Sequence, residues 1–337
     1  MMKDNKVLII AEVGQAHEGS LGILHSYIDA VATTGADAIK FQTHIAEAES
    51  SELEPFRVNF SYEDNSRFDY WKRMSFSLEH WKNIKAHCDE VNLEFISSPF
   101  SVAAVNLLEE VGVSRYKIGS GEVTNKLMLD AISKTGKEVI LSSGMSNTVE
   151  LKDTVDFLKS RGTKYSILQC TTKYPTTPQD VGLNVIQDLA AEFDVKSGLS
   201  DHSGTIYPSL AAVAIGAKVL EVHVVFDKMM FGPDTSSSLT IDELRSLCRG
   251  VRDISMMLDS PVNKGLHKVD DGLKTIFGKS LAVNKPLSKG HVLELKDLES
   301  KKPGNVGVPA AHYETVLGKT LLRNLKCWDF LSLDDIK

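Results

Sequence analysis

Val7-Leu-Ile-Ile-Ala-Glu-Val-Gly14 is a short apolar run with a single charge, Glu12, near its C-terminal end. Runs of the same kind recur at Ala38–His44, Glu94–Phe100, Tyr116–Glu122, Glu138–Met145, Tyr165–Thr171, Val195–Ser203 and Val219–Val225. Their length and continuous hydrophobicity suit strands buried on both faces. Between them, Leu21–Thr33, Leu78–Val91, Ala103–Val111, Leu127–Thr135, Val149–Leu158, Val185–Phe193, Tyr207–Ile215 and Ile241–Leu258 place apolar residues at i, i+3 and i+4, the spacing of amphipathic helices. Gly35, Gly112, Gly136, Gly162 and Gly216 follow five of these helices, where a residue at positive φ ends a helix well. Eight alternations of strand and helix predict an α/β fold, a closed parallel (β/α)8 barrel of the TIM type. Such barrels carry their sites where the strands end, and these strands end in polar residues. Those residues are Glu18, Lys40 with Gln42, Ser98, Lys117 with Ser120 and Glu122, Ser142, Thr172, Asp201 with His202, and His223. The pattern is that of an enzyme.

The barrel is expected to occupy residues 1–259, with a linker at 260–273 and a small domain at 274–337. Residues 45–76, after the second strand, are too many for a simple barrel loop. Their aromatics (Phe56, Phe60, Tyr62, Phe68, Tyr70, Trp71) predict an ordered lid over the barrel mouth. Beyond Leu258 the helical pattern stops, and Ser280-Leu-Ala-Val, Lys302-Pro-Gly-Asn and Leu317-Gly-Lys predict short strands, turns and one-turn helices. So small a core is marginal alone and is expected to pack on another surface.

A net charge of -7 disfavours a nucleic-acid partner, so an anionic substrate must be met by a few cations focused in a cleft. Cys88, Cys170, Cys248 and Cys327 lie far apart without CxxC spacing, which predicts free thiols in a reducing compartment. The start of the chain has no leader pattern, and the longest apolar window, around Leu210–Val225, is interrupted by Lys218, Glu221 and His223. A cytoplasmic protein without membrane contact is expected.

His202 and His223 end neighbouring strands, so their rings can converge on a divalent metal. Two imidazoles suit Mn²⁺, Co²⁺, Fe²⁺ or Zn²⁺ better than Mg²⁺. The competing reading, in which each ring bonds a backbone carbonyl, stays open on spacing alone. The HxH pair of metal-hydrolase barrels is missing, since His17 stands by itself. Lys40 and Lys117, with Ser98, Ser120 and Ser142, make a ring of donors suited to phosphate and carboxylate. One barrel lysine equally suits the Schiff base of an aldolase. Glu122 is the leading general acid or base. Of Glu12 and Glu18, one is expected to orient a hydroxyl while the other is structural. Asp234, in Phe231-Gly-Pro-Asp, lies on the loop after strand eight, where such a string is otherwise an ordinary turn.

With these residues in place, the chain closely resembles the N-acetylneuraminate (sialic acid, or nonulosonic acid) synthase family. The matching strings are Ile10-Ala-Glu-Val-Gly with His17-Glu-Gly, Ile39-Lys-Phe-Gln-Thr, Ile96-Ser-Ser-Pro-Phe, Tyr116-Lys-Ile-Gly-Ser-Gly-Glu, Leu141-Ser-Ser-Gly-Met, Gly198-Leu-Ser-Asp-His and Gly232-Pro-Asp. Lys302-Pro-Gly-Asn and Leu317-Gly-Lys resemble the family's antifreeze-like (SAF) domain. The resemblance spans essentially the whole chain in the same order. It implies condensation of phosphoenolpyruvate with N-acetylmannosamine or a related N-acyl hexosamine, giving a nine-carbon 2-keto sugar acid and phosphate.

By resemblance, His202 and His223 hold the metal, usually Mn²⁺, with Co²⁺ or Mg²⁺ as alternatives. Lys40, Ser98, Lys117, Ser120, Ser142, Thr172 and Ser200 surround phosphoenolpyruvate. Glu18, Gln42, Glu122, Tyr174 and Asp234 face the sugar, and Glu122, Glu18 and Lys117 are the catalytic candidates. The small domain would lie across the barrel mouth of a partner in a domain-swapped homodimer, bringing Lys302 to the sugar. Three departures leave the sugar open. Thr172 replaces an Asn, Lys302 replaces an Arg, and the lid lacks a Gly-Asn turn. Two alternatives come from other classes: a Schiff-base aldolase using Lys117, and a non-catalytic sugar-binding protein.

Overall fold

The computed structural model describes residues 6–58, 60–264 and 271–337. The eight apolar runs form parallel strands β1 (Leu8–Glu12), β2 (Ala38–Thr43), β3 (Glu94–Pro99), β4 (Arg115–Ile118), β5 (Glu138–Ser142), β6 (Tyr165–Cys170), β7 (Ser197–Asp201) and β8 (Val219–Val225). Each pairs with its sequence neighbour, and β1 also pairs with β8, Glu12 opposite His223, which closes the barrel. The amphipathic stretches become α1 (Leu21–Ala32), α4 (Leu78–Glu90), α5 (Val102–Val111), α6 (Lys126–Ser133), α7 (Thr148–Ser160), α8 (Leu183–Phe193), α9 (Tyr207–Ala214) and α10 (Ile241–Asp259). The short α2 (Ala46–Glu49) and α3 (Arg67–Met74) lie between β2 and α4, and β9 (Leu239–Thr240) adds to β8 before α10. All five glycines expected after helices have positive φ, from 69° at Gly162 to 109° at Gly216. The (β/α)8 expectation is borne out.

The two-residue side-chain period of the strands decides what faces the barrel axis. Ile10, Ala38, Ile96, Ile140, Leu168 and Val219 form a buried apolar plug. Two residues further along each of those strands stand Glu12, Lys40, Ser98, Ser142, Cys170 and Glu221, and all six line one cavity. Residues of opposite parity, such as Ile9, Ile39, Phe41, Leu141, Ile167 and Leu220, pack outward in the core shared with the helices. The polar floor therefore rests on a dry layer that excludes water from below. At Gly198 a Cβ would stand 1.9 Å from the Val219 carbonyl oxygen, so β7 and β8 meet at their close approach only because no side chain is there.

Residues 45–76 are an ordered element with a core of its own. Ala46, Tyr70, Trp71 and Met74 are buried, and Phe56, Phe60 and Phe68 pack on them. Ser66 and Ser77 cap the helices that end and follow this segment, each accepting the backbone N–H three residues on.

The chain divides into two compact units, Met1–Ser260 and Pro261–Lys337. Residues 265–270 of the expected linker lie outside the described residues, and helix α11 (Asp271–Phe277) occupies its last positions. In the second unit β10 (Ser280–Val283) pairs antiparallel with β11 (Leu298–Lys301), and the rest is turns and one-turn helices. Its core is Leu281, Val283, Leu287, Leu293, Val308, Val316, Leu321, Leu325 and Leu331. Asp297, fully buried, is held by His291 Nε2 at 2.7 Å and Lys285 Nζ at 2.7 Å. All four cysteines are free thiols. Among the described residues no helix is long and apolar enough to cross a membrane.

Candidate active site

The strands open into a cavity of about 620 Å³. Its floor carries two buried lysines, each already held. Lys40 Nζ forms an ion pair with Glu12 and donates to Ser98 Oγ at 3.1 Å. Lys117 Nζ donates to Ser142 Oγ at 2.6 Å and to the Ile118 carbonyl at 3.1 Å, and lies 3.7 Å from Glu221 Oε2. Burial opposes charge on both lysines. For Lys40 the carboxylates of Glu12 and Glu221 more than offset it, and its pKa lies above the ordinary value. For Lys117 burial wins and its pKa falls. Glu221, also buried, is held down to about 2; its own desolvation acts upward, but Lys117, Lys40 and the two histidines outweigh it. Ser200 Oγ donates to Glu221 at 3.1 Å. An anion entering here meets ammonium groups and hydroxyls in a space screened from water, where charge interactions are strong.

One side of the floor is completed by backbone. Ser120 Oγ accepts the Gly144 N–H at 3.1 Å and lies 3.4 Å from Cys170 Sγ. A Cβ at Gly144 would come within 2.9 Å of Ser120 Oγ, Cys170 Sγ and the Cys170 carbonyl, so only glycine fits. Thr172 Oγ1 reaches the Gly144 carbonyl at 3.4 Å.

Above the floor His202 and His223 face each other with ring centroids 5.2 Å apart. His202 Nδ1 lies 3.0 Å from the Thr171 carbonyl, which can only accept, so Nδ1 carries the proton and Nε2 has the lone pair. That lone pair accepts the Tyr174 hydroxyl at 3.1 Å. His223 makes no hydrogen bond among the described residues, and the Gly14 backbone passes beside it, where a Cβ would stand 3.6 Å from the ring. Both readings of the pair are thus partly realised: His202 does bond a carbonyl, and that bond aims its other nitrogen into the cavity, as for a metal-ligating histidine. Among the described residues no group of three or more His, Cys, Asp or Glu converges tightly enough to hold an ion by itself.

The mouth is walled by the lid and the later loops. Arg57 donates to Asp234 Oδ1 at 2.6 Å, and its guanidinium stands 4.2 Å over the Tyr174 ring. Glu122 accepts from Asn125 Nδ2 at 2.7 Å, yet burial raises its carboxyl above the usual range.

The cavity brings together Lys40, Gln42, Ser98, Lys117, Ser120, Glu122, Ser142, Thr172, Tyr174, Ser200, His202, His223 and Asp234. Glu18 is not among its lining residues. At φ 48° it turns toward α3, where Arg73 Nη1 holds its carboxylate at 3.0 Å in a cluster with Asp64. Glu12 instead lines the floor, paired with Lys40 and accepting a hydrogen bond from Gln42 Nε2. Lys302 belongs to the second unit, with Nζ 4.9 Å from the Phe277 ring centroid. Sequence reasoning missed Glu221, Arg57 and the His44–Glu49 pair. Glu221 was legible: it is a charge two residues before His223 in an otherwise apolar strand, hence on the same inward face. His17, buried and lowered to about 3 by desolvation, stays neutral and accepts the Gly19 N–H.

Residues 27–263 match the NeuB family model, and residues 278–337 match the SAF domain. The chain belongs to the NeuB family. It is 36% identical over 327 residues to an N,N'-diacetyllegionaminic acid synthase of Campylobacter jejuni, covering 95% of this chain and 97% of that one. It is 33% identical over 318 residues to the N-acetylneuraminate-9-phosphate synthase of Homo sapiens, covering 93% and 88%. Among solved structures, an N-acetylneuraminic acid synthetase of Leptospira borgpetersenii superposes with a TM-score of 0.69 at 30% identity, over 80% of this chain and 90% of that one. The expected family, the enzyme class and the SAF domain are thereby borne out.

Proposed function

We propose that this synthase condenses phosphoenolpyruvate with an N-acyl hexosamine aldehyde of the mannosamine type, giving a nine-carbon 2-keto sugar acid and inorganic phosphate. The observation that carries the reading is the layering of one cavity. Two buried lysines and a ring of hydroxyls lie at the floor, two histidines stand above them, and a raised carboxyl sits at the side.

Lys40, Lys117, Ser98, Ser120, Ser142 and Ser200 hold the phosphate and carboxylate of phosphoenolpyruvate, with Thr172 at the edge of the ring. Gln42, Tyr174 and Asp234 form the wall that meets the sugar. Carbon 3 of the enol attacks the aldehyde carbon and leaves cationic character at C2. Glu122, ionised, takes one proton from a water that adds there and gives it to the alkoxide left on the former aldehyde carbon, while the second proton leaves with the phosphate. The tetrahedral centre then expels phosphate, whose departing charge Lys117 and the serines stabilise. The nonpolar layer beneath and the aromatic lid keep other water out.

His202, through the Nε2 that accepts the Tyr174 hydroxyl, and His223 would hold a divalent cation, for which the family resemblance points to Mn²⁺, with Co²⁺ or Mg²⁺ as alternatives. Such an ion supplies Lewis acidity to the aldehyde oxygen. A domain-swapped homodimer in which Lys302 of the partner subunit reaches the sugar is part of this reading, as is a reducing cytoplasmic setting, supported by the four free thiols. A phosphate-release screen with phosphoenolpyruvate, Mn²⁺ and a panel of mannosamine derivatives tests it, with borohydride trapping in the presence of pyruvate as the check on a Schiff-base lysine. Release that depends on one of the sugars supports condensation. A trapped pyruvyl–Lys117 adduct without phosphate release overturns it.

A further inference from the structure

The cavity wall beneath the lid contains a buried hydrogen-bond chain whose proton count is fixed by its ends. Gln42 Nε2 lies 2.8 Å from Glu12 Oε1. A carboxylate paired with Lys40 accepts only, so the Gln42 amide nitrogen must face it, and Gln42 Oε1 must face the other way. That oxygen receives Gln15 Nε2 at 2.9 Å and His44 Nε2 at 3.1 Å. Both are therefore donors, and His44 carries its proton on Nε2. Its other nitrogen, Nδ1, lies 2.5 Å from Glu49 Oε1. A lone pair facing a carboxylate at that distance would be repulsive, so a further proton lies between them.

Three features hold the pair in place. His44 is sandwiched between Trp71 at 3.7 Å and Phe100 at 4.3 Å, both nearly parallel to it. Glu49 Oε2 accepts the Ile45 N–H at 3.2 Å. Ser75 Oγ donates to the His44 carbonyl at 3.0 Å, which ties the end of α3 to the same point. Burial lowers the His44 pKa, and together with Arg67 it outweighs the upward pull of Glu49 and Glu54. Whichever atom carries the proton, the pair as a whole is neutral.

We propose that His44 and Glu49 are positioning residues: they share one proton, lock Gln42 with its carboxamide aimed along the acceptor wall, and fasten the lid helices to the anion-binding floor. The inference rests on the reading that Gln42 faces the acceptor sugar. The chain Glu49–His44–Gln42–Glu12–Lys40 links the lid to a lysine that binds phosphoenolpyruvate, so acceptor recognition depends on the lid being seated.

The experiment combines proton NMR of the full-length protein with kinetics on N-acetylmannosamine or whichever panel sugar turns over. Wild type at neutral pH should show a proton resonance far downfield of the amide envelope, absent from His44→Phe. That variant keeps the aromatic sandwich and removes the donor. Its acceptor KM should rise about tenfold, the scale of one lost buried hydrogen bond, while the KM for phosphoenolpyruvate stays within about twofold. Glu49→Gln can donate to Nδ1 of a neutral imidazole, so it should lose the resonance yet keep the acceptor KM within about twofold; Glu49→Leu should lose both. A wild type without the resonance, a Glu49→Gln that retains it, or equal rises in both KM values overturns the proposal. If no sugar in the panel turns over, the proposed function fails while the resonance and its loss in His44→Phe still test the clamp.

Discussion

Replacing Lys117 by Met removes one ammonium group from the cavity floor and leaves its volume nearly filled. Two separate effects follow from the geometry. Lys117 Nζ is 3.7 Å from Glu221 Oε2, an attraction of about 4.5 kcal/mol at an effective dielectric of about 20. Breaking a buried pair from one side costs on the order of 3–5 kcal/mol, and Glu221 keeps Ser200 and the field of Lys40, so about 3 is expected here. For a barrel of this size that lowers Tm by roughly 6–12 °C. Phosphoenolpyruvate, in turn, loses one charge-assisted hydrogen bond worth about 1.5–3 kcal/mol, or roughly 10- to 150-fold in affinity. The double variant Lys117→Met/Glu221→Leu separates the two. An apolar pair in place of an ionic one is close to neutral for stability, so Tm should return to within a few degrees, while phosphoenolpyruvate affinity should stay lost. Calorimetric Tm and titration calorimetry with phosphoenolpyruvate read both quantities. If affinity recovers together with stability, Lys117 is a structural lysine and the floor does not bind the anion as argued.

His202→Ala should lose bound metal by elemental analysis and at least about 10²-fold in kcat, the scale of a main electrostatic group, and EDTA should abolish wild-type activity until Mn²⁺ or Co²⁺ is restored. Glu122→Gln should bind phosphoenolpyruvate normally and lower kcat by on the order of 10²–10⁴. Burial raises the Glu122 carboxyl, so the base is protonated and kcat falls as pH drops through a limb above the ordinary glutamate range; the Gln variant should lack that limb in a pH–rate profile. Lys302→Arg replaces a point charge by a planar fork and should tighten N-acetylmannosamine binding. Heterodimers of a His202→Ala chain with a chain ending at residue 262 should regain activity if Lys302 acts in trans, and heterodimers that form without activity would refute that.

Most of the barrel was legible because its strands are apolar on both faces and its helices are apolar on one, so two periods alternate without ambiguity. The floor was legible for the same reason: a lysine or serine in an apolar strand marks the inward face, as at Lys40, Ser98 and Ser142. What escaped were groups whose roles depend on contacts across the sequence. Glu18 and Glu12 both flank the first turn, and only the positive φ at Glu18 and the position of Arg73, on α3, send one outward and leave the other beside Lys40. Arg57 lies in an irregular stretch of the lid with no periodicity to read. His44 and Glu49 look like the ragged end of a strand and a four-residue helix until Trp71 and Phe100 close over the His44 ring and Glu49 meets its Nδ1.

The most direct test of the account is the fate of the oxygen that bridges C2 and phosphorus in phosphoenolpyruvate. With that atom labelled as ¹⁸O and an acceptor sugar present, water addition at C2 predicts that the label leaves with inorganic phosphate while a nine-carbon keto acid forms. Label retained in the keto acid, or pyruvate formed without a sugar adduct, would contradict it.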